Sequence, residues 1–304
     1  MFVSLRDNDM RKIHLKSFMI VFSFFCLMES VMIGSQDISN LKGPYLGQDP
    51  PGKKSKVFAP GFVSTSENEF SITFSPNGKS CYFSRTGSNG QYSIFVSKET
   101  ESGWTDPVEA DFAGGTFSHE PYISIDGQTL FFGSLRPLPN GKTDYSIWTL
   151  KRKGQDWSDL QPLGFFAMYV TQTREGTLYF TSRGPGGACL AKSAYQNGQY
   201  LEPEILGEPF LSDYWDGHPC VAPDESWLIF DSENRPDAKE CGLFISFRTE
   251  NGEWTIPHHM IDKIPAGRFA MLSPDRKYLF YSTQGDIHWI DATIIEEIKQ
   301  KILR

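Results

Sequence analysis

The chain repeats a short turn-like tetrapeptide five times at nearly constant spacing. The tetrads end at Gly78, Gly127, Gly176, Glu225 and Arg276, which follow one another at intervals of 49, 49, 49 and 51 residues. Each tetrad precedes two short apolar runs rich in aromatic and branched side chains, the composition of β-strands. A unit of about 45 to 50 residues with four short strands is typical of a β-propeller blade. The repeat predicts an all-β fold, a five-bladed propeller of four-stranded blades.

The two ends of the repeat array predict how the ring closes. The fifth repeat holds three strands, whereas a strand-like segment at 56–65 stands alone before the first repeat. We expect this N-terminal strand to complete the last blade, because the pairing removes two exposed sheet edges. The predicted propeller covers 56–291, with blades near 67–114, 115–164, 165–211, 212–264 and 265–291 plus 56–65. Residues 292–304 predict a short amphipathic C-terminal helix.

Residues 1–36 have the three-part layout of a secretory signal peptide. Arg11, Lys12 and Lys16 precede the almost wholly apolar stretch 17–28, and small residues follow at 34–35. We expect cleavage and export to the periplasm or the exterior, with 37–55 as a linker and no transmembrane segment in the mature chain. An uncleaved anchor is the alternative, although the apolar stretch is shorter than the ~20 residues that span a bilayer.

Charge and cysteine content narrow the classes of partner. The chain has 37 acidic against 29 basic residues and a net charge of −8, which argues against a nucleic-acid partner, since phosphates require a basic face. We expect a monomer. Export would permit disulfides among Cys81, Cys189, Cys220 and Cys241, with Cys220–Cys241 as the candidate pair and buried thiols as the alternative.

The tetrads also carry a resemblance to a known family. Ser75-Pro76-Asn77-Gly78 and Ser273-Pro274-Asp275, each followed by an apolar strand, resemble the WD-like repeats of TolB-type exported bacterial propellers. The segment from His218 to Ser226 is similar to one common in such propellers. The resemblance covers residues 67–291 and implies the propeller fold. It leaves a scaffold, a ligand binder and an enzyme open, because propellers serve as all three.

Strand direction predicts which side chains meet at the channel. If each innermost strand runs from the top face down to its tetrad, the starts of first strands and the ends of second strands share the top mouth. The candidate catalytic residues there are Glu69, Glu120, Asp216 and His218. The candidate ligand-binding residues are Arg85, His119, Glu120, Arg136, Asp144, Arg183, His218, Arg235 and Arg268.

These residue types support two functional hypotheses. The first is a non-catalytic propeller that binds a ligand or a protein partner through its top face. The second is a hydrolase or lyase acting on an acidic polysaccharide, in which guanidinium groups bind the carboxylates of the sugar and funnel carboxylates act as acid and base. Ion pairs that tie strands together are the structural alternative for each arginine. Two histidines with carboxylates could hold a divalent cation, but no spacing requires one.

Overall fold

The computed structural model describes residues 42–87, 90–184, 187–233, 235 and 241–303; the predicted signal peptide lies outside the described residues. Strand β1 (Lys56–Val57) precedes the repeats. Blade 1 contains β2 (Glu69–Phe74), β3 (Ser80–Thr86), β4 (Tyr92–Thr100), β5 (Gly103–Trp104) and β6 (Val108–Glu109). Blade 2 contains β7 (Ser118–Ile123), β8 (Thr129–Ser134), β9 (Ser146–Lys153) and β10 (Asp156–Pro162).

Blades 3 to 5 follow in the same order. Blade 3 contains β11 (Met168–Gln172), β12 (Leu178–Ser182), β13 (Cys189–Ser193), the hairpin β14 (Tyr195–Gln196) and β15 (Gln199–Tyr200), and β16 (Glu204–Ile205). Blade 4 contains β17 (Trp215–Val221), β18 (Trp227–Glu233), β19 (Gly242–Phe247) and β20 (His258–His259). Blade 5 contains β21 (Arg268–Leu272), β22 (Tyr278–Thr283) and β23 (Asp286–Asp291), and helix α1 (Thr293–Ile302) follows it.

The ring closes through the N-terminal strand, which confirms the predicted fold class. Strand β1 pairs antiparallel with β23, with Lys56 opposite Trp289, and completes the order β21-β22-β23-β1. The strand is shorter than the expected 56–65. Its pairing stops at the Phe58 amide, which donates to Ile287 at 2.8 Å. Pro60 and Gly61 then turn the chain, because proline cannot donate to a ladder and glycine takes a φ of 79°.

The tetrads are turns held by their own side chains. In blade 1 the Ser75 hydroxyl donates to Asn77 Oδ1 at 2.7 Å, and the Ser80 amide donates back to Ser75 Oγ at 2.9 Å. The fourth position needs a left-handed backbone, and Gly78 takes it with a φ of 69°. Blades 2 and 5 repeat the serine-to-carboxylate bond at Asp126 and Asp275. All five tetrads share one backbone bond, in which the amide of the fourth residue donates to the carbonyl of the first, and this turn joins each first strand to its second strand.

Aromatic packing seals the joint between blades 5 and 1. Phe58 is fully buried, with its ring centroid 5.1 Å from that of Phe280 and 5.2 Å from that of Trp289. Tyr45, in the segment predicted as a linker, packs its ring 5.0 Å from Phe74. The N-terminal segment is thus part of the core as well as the closing strand.

Helix α1 packs Ile294, Ile295 and Ile298 into the apolar core between blades 4 and 5. Within the described ranges, no helix has the length and apolar character to cross a membrane. The four cysteines of those ranges are free thiols. Cys220 lies opposite Ile229 in the innermost strands, whereas Cys241 contacts Asp231 near the other end of the blade, so the candidate disulfide is not formed.

Candidate functional site

Every innermost strand has a bulge at the same place, seven residues before the end of its tetrad. The five bulge residues are Ser71, Glu120, Tyr169, His218 and Phe269, and each has a left-handed φ between 47° and 56°. The strand register shifts beside each of them. Non-glycine residues rarely adopt this conformation, and it is stable only where the surroundings enforce it. We call these five residues the axial ring.

The axial ring brings side chains from different blades into contact. The imidazole of His218 lies 4.1 Å from the Phe269 ring and 5.3 Å from the Tyr169 ring, measured between centroids. The Tyr169 hydroxyl donates to the Ala270 carbonyl at 2.6 Å, so a blade 3 side chain reaches blade 5. These contacts place the ring at the propeller axis.

The amide of a bulge residue cannot join its own ladder, and the preceding blade supplies an acceptor. The Glu120 amide donates to Ser84 Oγ at 2.8 Å, and the His218 amide donates to Thr181 Oγ1 at 2.7 Å. In blade 2 the residue equivalent to Ser84 is Gly133, which has no side chain. The Tyr169 amide donates instead to Glu120 Oε2 at 3.1 Å. Glu120 thus replaces the missing acceptor.

Gly133 also makes room for a second donor to Glu120. The Tyr145 hydroxyl donates to Glu120 Oε2 at 3.1 Å. A Cβ atom at Gly133 would lie 1.9 Å from the Tyr145 oxygen, well inside van der Waals contact. The glycine is therefore required for this hydrogen bond.

Glu120 and His218 form the centre of a buried charged cluster. His218 Nδ1 lies 2.9 Å from Asp231 Oδ1, and its Nε2 lies 3.6 Å from Glu120 Oε1. Burial alone would raise the pKa of Glu120, but the adjacent His119 and His218 and the Tyr145 hydroxyl lower that pKa to about 2. Burial alone would lower the pKa of His218, but the carboxylates of Asp231 and Glu120 raise it. The cluster therefore favours an ionised Glu120 beside a protonated His218.

His119 lies on the outer side of this cluster. Its Nδ1 is 3.2 Å from Glu120 Oε1, close enough for attraction between charges but not aligned for a hydrogen bond. Aromatic rings surround the imidazole, with centroid distances from 4.8 to 6.1 Å; they belong to Phe70, Tyr92, Phe117 and Tyr145.

The other two candidate carboxylates are ion-paired inside their own blades. Arg85 Nε donates to Glu69 Oε1 at 2.8 Å, and Arg235 Nη2 donates to Asp216 Oδ2 at 2.8 Å. Glu69 has no solvent exposure and Asp216 has 1%. Each carboxylate also accepts a nearby hydroxyl, from Thr65 and Ser212 respectively. These two pairs are equivalent structural supports of blades 1 and 4.

The remaining candidate residues lie farther from the axial ring. Arg136 donates to the Phe112 carbonyl and stacks on Phe132 and Trp148. The exposed Arg183 stacks on Phe166 at 4.3 Å, across a groove that also contains the exposed Asp144. Arg268 pairs with Glu233, and its side chain keeps 39% exposure. The structure thus leaves two of the candidate arginines, Arg183 and Arg268, open to a ligand at this face.

A cavity of about 300 Å³ opens at the top mouth, between blades 5 and 1. Its walls combine aromatic rings, polar groups and one cation, from Asn68, Phe70, Tyr92, His119, Arg268, Phe269 and Gln284. Glu69 and Glu120 lie on its inner side. Pockets that combine aromatic walls with a few polar groups are typical ligand sites. We call this space the top cavity.

No group of three or more His, Cys, Asp or Glu side chains in the described part of the chain is arranged to hold a metal ion. His218 and Glu120, the nearest to such a group, are occupied by Asp231, Tyr145 and the Tyr169 amide. Both side chains therefore already have partners within the protein.

Sequence reasoning missed Phe269, Asp231 and Tyr145. Glu120 and His218 could be recognised as equivalent by their distance from the tetrads, and the same count leads to Tyr169 and Phe269. Asp231 occupies the position of Ser84, which a blade-by-blade alignment could have flagged. Nothing in the sequence around Tyr145 indicates its role, because its hydrogen bond to Glu120 depends on how the loop before β9 folds.

The fold and the mouth define a five-bladed β-propeller with a polar, ion-paired top face. No protein-family model matches the chain, and no curated protein matches it. Solved structures are similar in fold. A TolB candidate from Agrobacterium tumefaciens aligns at 15% identity and a TM-score of 0.49, over 71% of this chain and 70% of that one.

TolB from Acinetobacter baumannii aligns at 13% identity and a TM-score of 0.48, over 75% of this chain and 55% of its own length. A GH43B protein of a Bacteroides ovatus xyloglucan PUL also aligns at 13% and 0.48, over 78% of this chain and 54% of its own. Identities and TM-scores this low give no basis for transferring an activity. A function for this chain therefore has to be inferred from the geometry of its own site.

Proposed function

We propose that this chain is an exported, TolB-like propeller that binds a ligand or a protein partner through its top mouth without chemical turnover. The main observation in support is that the carboxylates at that mouth are already engaged in ion pairs and hydrogen bonds within the protein. Glu69 and Asp216 are each neutralised by an arginine of the same blade, and Glu120 is ionised and hydrogen-bonded inside the axial ring.

This arrangement supports binding over polysaccharide cleavage. Glycoside hydrolysis needs one protonated carboxyl group as acid and a second, ionised one beside the scissile bond. Glu120, with a pKa of about 2, has no proton to donate at neutral pH. The carboxylate oxygens of Glu69 and Asp216 accept hydrogen bonds from guanidinium and hydroxyl groups of the protein. Glu69, Glu120 and Asp216 therefore lack the environment of a general acid, which is usually apolar and raises the pKa.

The top cavity supports a polar, ring-bearing ligand. The rings of Phe70 and Phe269 lie 4.9 Å apart and form one wall with Tyr92. Amide groups of Asn68 and Gln284 and the exposed part of Arg268 lie at the edge. Aromatic faces stack on sugar rings, and a guanidinium group binds a carboxylate. An acidic saccharide fits both features.

The test is a binding and turnover screen with uronate-bearing and neutral glycans. We expect saturable binding by calorimetry and no release of reducing ends. Arg268→Gln and Tyr92→Ala should each weaken binding at least tenfold. Arg248→Gln is the matched control, because Arg248 stacks on Trp254 at the outer end of blade 4, away from the mouth.

Two results would overturn the proposal. Product release that disappears in Glu120→Gln would establish catalysis at the mouth. Binding that neither Arg268→Gln nor Tyr92→Ala weakens would place the ligand elsewhere. Fractionation of cells that express the chain with and without residues 1–36 tests export separately.

A further inference from the structure

The opposite mouth of the channel, where the tetrads lie, contains a second cavity. It has a volume of about 130 Å³ and is lined from all five blades. Its inner circle consists of the residues five positions before each tetrad's end, namely Thr73, Tyr122, Thr171, Cys220 and Met271. Pro76, Ile125, Pro223 and Pro274 surround its opening. We call this space the turn-side funnel.

The hydroxyl groups of the inner circle are hydrogen-bonded within the protein, and that of Tyr122 bonds to the Gln172 backbone. Thr73 Oγ1 accepts from the Ile123 amide at 3.2 Å. Thr171 Oγ1 donates to the Pro219 carbonyl at 2.7 Å and accepts from the Val221 amide at 3.2 Å. Each of these bonds ties one blade to the next. The threonines therefore present their methyl groups to the space.

Serine hydroxyls near the opening are used in the same way. Ser124 and Ser273 donate to Asp126 and Asp275 within their own tetrads. Cys220 and Met271 add sulfur and methyl surfaces, which are soft and weakly polar. A buried water needs two to four polar partners, and this lining offers few. The space is better matched to an apolar guest than to a cluster of waters.

The size of the funnel defines the guest. An apolar protein cavity of roughly 150 Å³ accepts one benzene molecule. We propose that the turn-side funnel is a binding site for a small apolar molecule, or for the apolar end of a larger amphiphile, of about six carbon atoms. Arg276 lies at the opening, where its guanidinium group can bind the polar end of an amphiphile.

This site does not depend on the function proposed for the top mouth. The axial ring lies between the two cavities, two residues farther from the tetrads than the funnel's inner circle. At that level the Tyr169 hydroxyl bonds to the Ala270 carbonyl and links blades 3 and 5. The two cavities can thus be tested separately.

Methionine methyl groups supply the readout. Met271 lines the funnel and is 5% exposed, whereas Met260 is also buried, at 1% exposure, but packs in the cluster beside helix α1. In the purified protein labelled with ¹³C-methyl methionine, benzene should shift the Met271 resonance saturably and leave Met260 unmoved. Met271→Leu and Met260→Leu assign the two signals. Sodium hexanoate is the second probe and distinguishes an amphiphile's tail from a free hydrocarbon.

A filling variant checks the location. Cys220→Leu places a larger side chain in the funnel and leaves less room for the guest, so it should reduce the Met271 shift at least fivefold. Circular dichroism confirms that the variant is folded. Saturation by benzene alone indicates a free hydrocarbon guest, and saturation by both probes indicates that a tail enters as well. The inference is wrong if neither probe moves Met271 in the parent protein, or if Met260 and Met271 drift together without saturation. The parent measurement decides this even if Cys220→Leu does not fold.

Discussion

Adding one methyl group at Gly133 should disconnect Tyr145 from the axial ring. The new Cβ of Gly133→Ala would lie 1.9 Å from the Tyr145 oxygen and 2.6 Å from its Cζ. Both distances are far below van der Waals contact, so the phenol must move. Its hydrogen bond to Glu120 Oε2 is then lost, and a buried carboxylate loses one of its donors.

The magnitude follows from two contributions. A hydrogen bond to a charged group contributes roughly 1.5–3 kcal/mol. Forcing an extra methyl into a packed interior costs a further ~1–3 kcal/mol. We therefore expect Gly133→Ala to lower the free energy of unfolding by roughly 2.5–6 kcal/mol. Tyr145→Phe removes only the hydroxyl and should cost roughly 1.5–3 kcal/mol.

Urea unfolding monitored by tryptophan fluorescence measures both losses. Gly207→Ala is the matched control, because nothing lies within 4 Å of the Cβ it would add; its effect should stay within about 1 kcal/mol. If Gly133→Ala proves no more costly than Gly207→Ala, the Tyr145 hydroxyl does not occupy the space beside Gly133 and the reasoning fails.

Three further changes probe the rest of the structure. The folded pKa of Glu120, about 2, lies below its ordinary 4.5, so the charge of Glu120 stabilises the fold by about 3 kcal/mol above pH 4.5, and this contribution is lost toward pH 2. In Glu120→Gln, the urea midpoint should therefore fall less steeply between pH 4.5 and pH 2. An unchanged slope would contradict the pKa shift. Arg235→Ala leaves Asp216 buried and unpaired and should lower the free energy of unfolding by roughly 3–5 kcal/mol. Adding Asp216→Asn to that variant removes the unpaired charge and should recover part of the loss in thermal melts. A double variant as unstable as Arg235→Ala would argue against the pairing. Phe58→Ala should cost roughly 3–5 kcal/mol by urea unfolding, because the ring is fully buried at the closing seam; a loss below 1 kcal/mol would mean that the seam does not depend on it.

The fold could be predicted because its information is local and repeated five times. Ser75 and Asn77 form their turn with groups no more than five residues away, and the same bonds recur in the tetrads of blades 2 and 5. Closure by the N-terminal strand could be predicted from a missing partner in blade 5. The early end of that strand was missed, because Pro60 and Gly61 were included in an apolar run whose composition alone resembles a strand.

The site could be predicted only in part, because sequence position indicates which mouth a residue faces but not what it binds there. Glu69 and Glu120 were placed at one mouth by the same argument, yet one is paired with Arg85 and the other accepts from Tyr145. The tyrosine donor of Glu120 depends on Gly133, whose lack of a side chain admits a tyrosine from a loop. Such a contact joins segments whose relative position follows only from the packed structure.

The axial ring is the place where the five blades differ most in chemistry. Turns, strand pairs and inter-blade bonds are nearly the same around the ring, as expected if one solution to packing is repeated. At the bulge the same backbone conformation instead carries a hydroxyl, a carboxylate, a phenol, an imidazole and a phenyl ring. Packing alone does not call for a buried carboxylate beside an imidazole, since replacing such charges by apolar side chains is often neutral or stabilising. Glu120 and His218, with Asp231 paired to the same imidazole, are therefore not explained by packing alone.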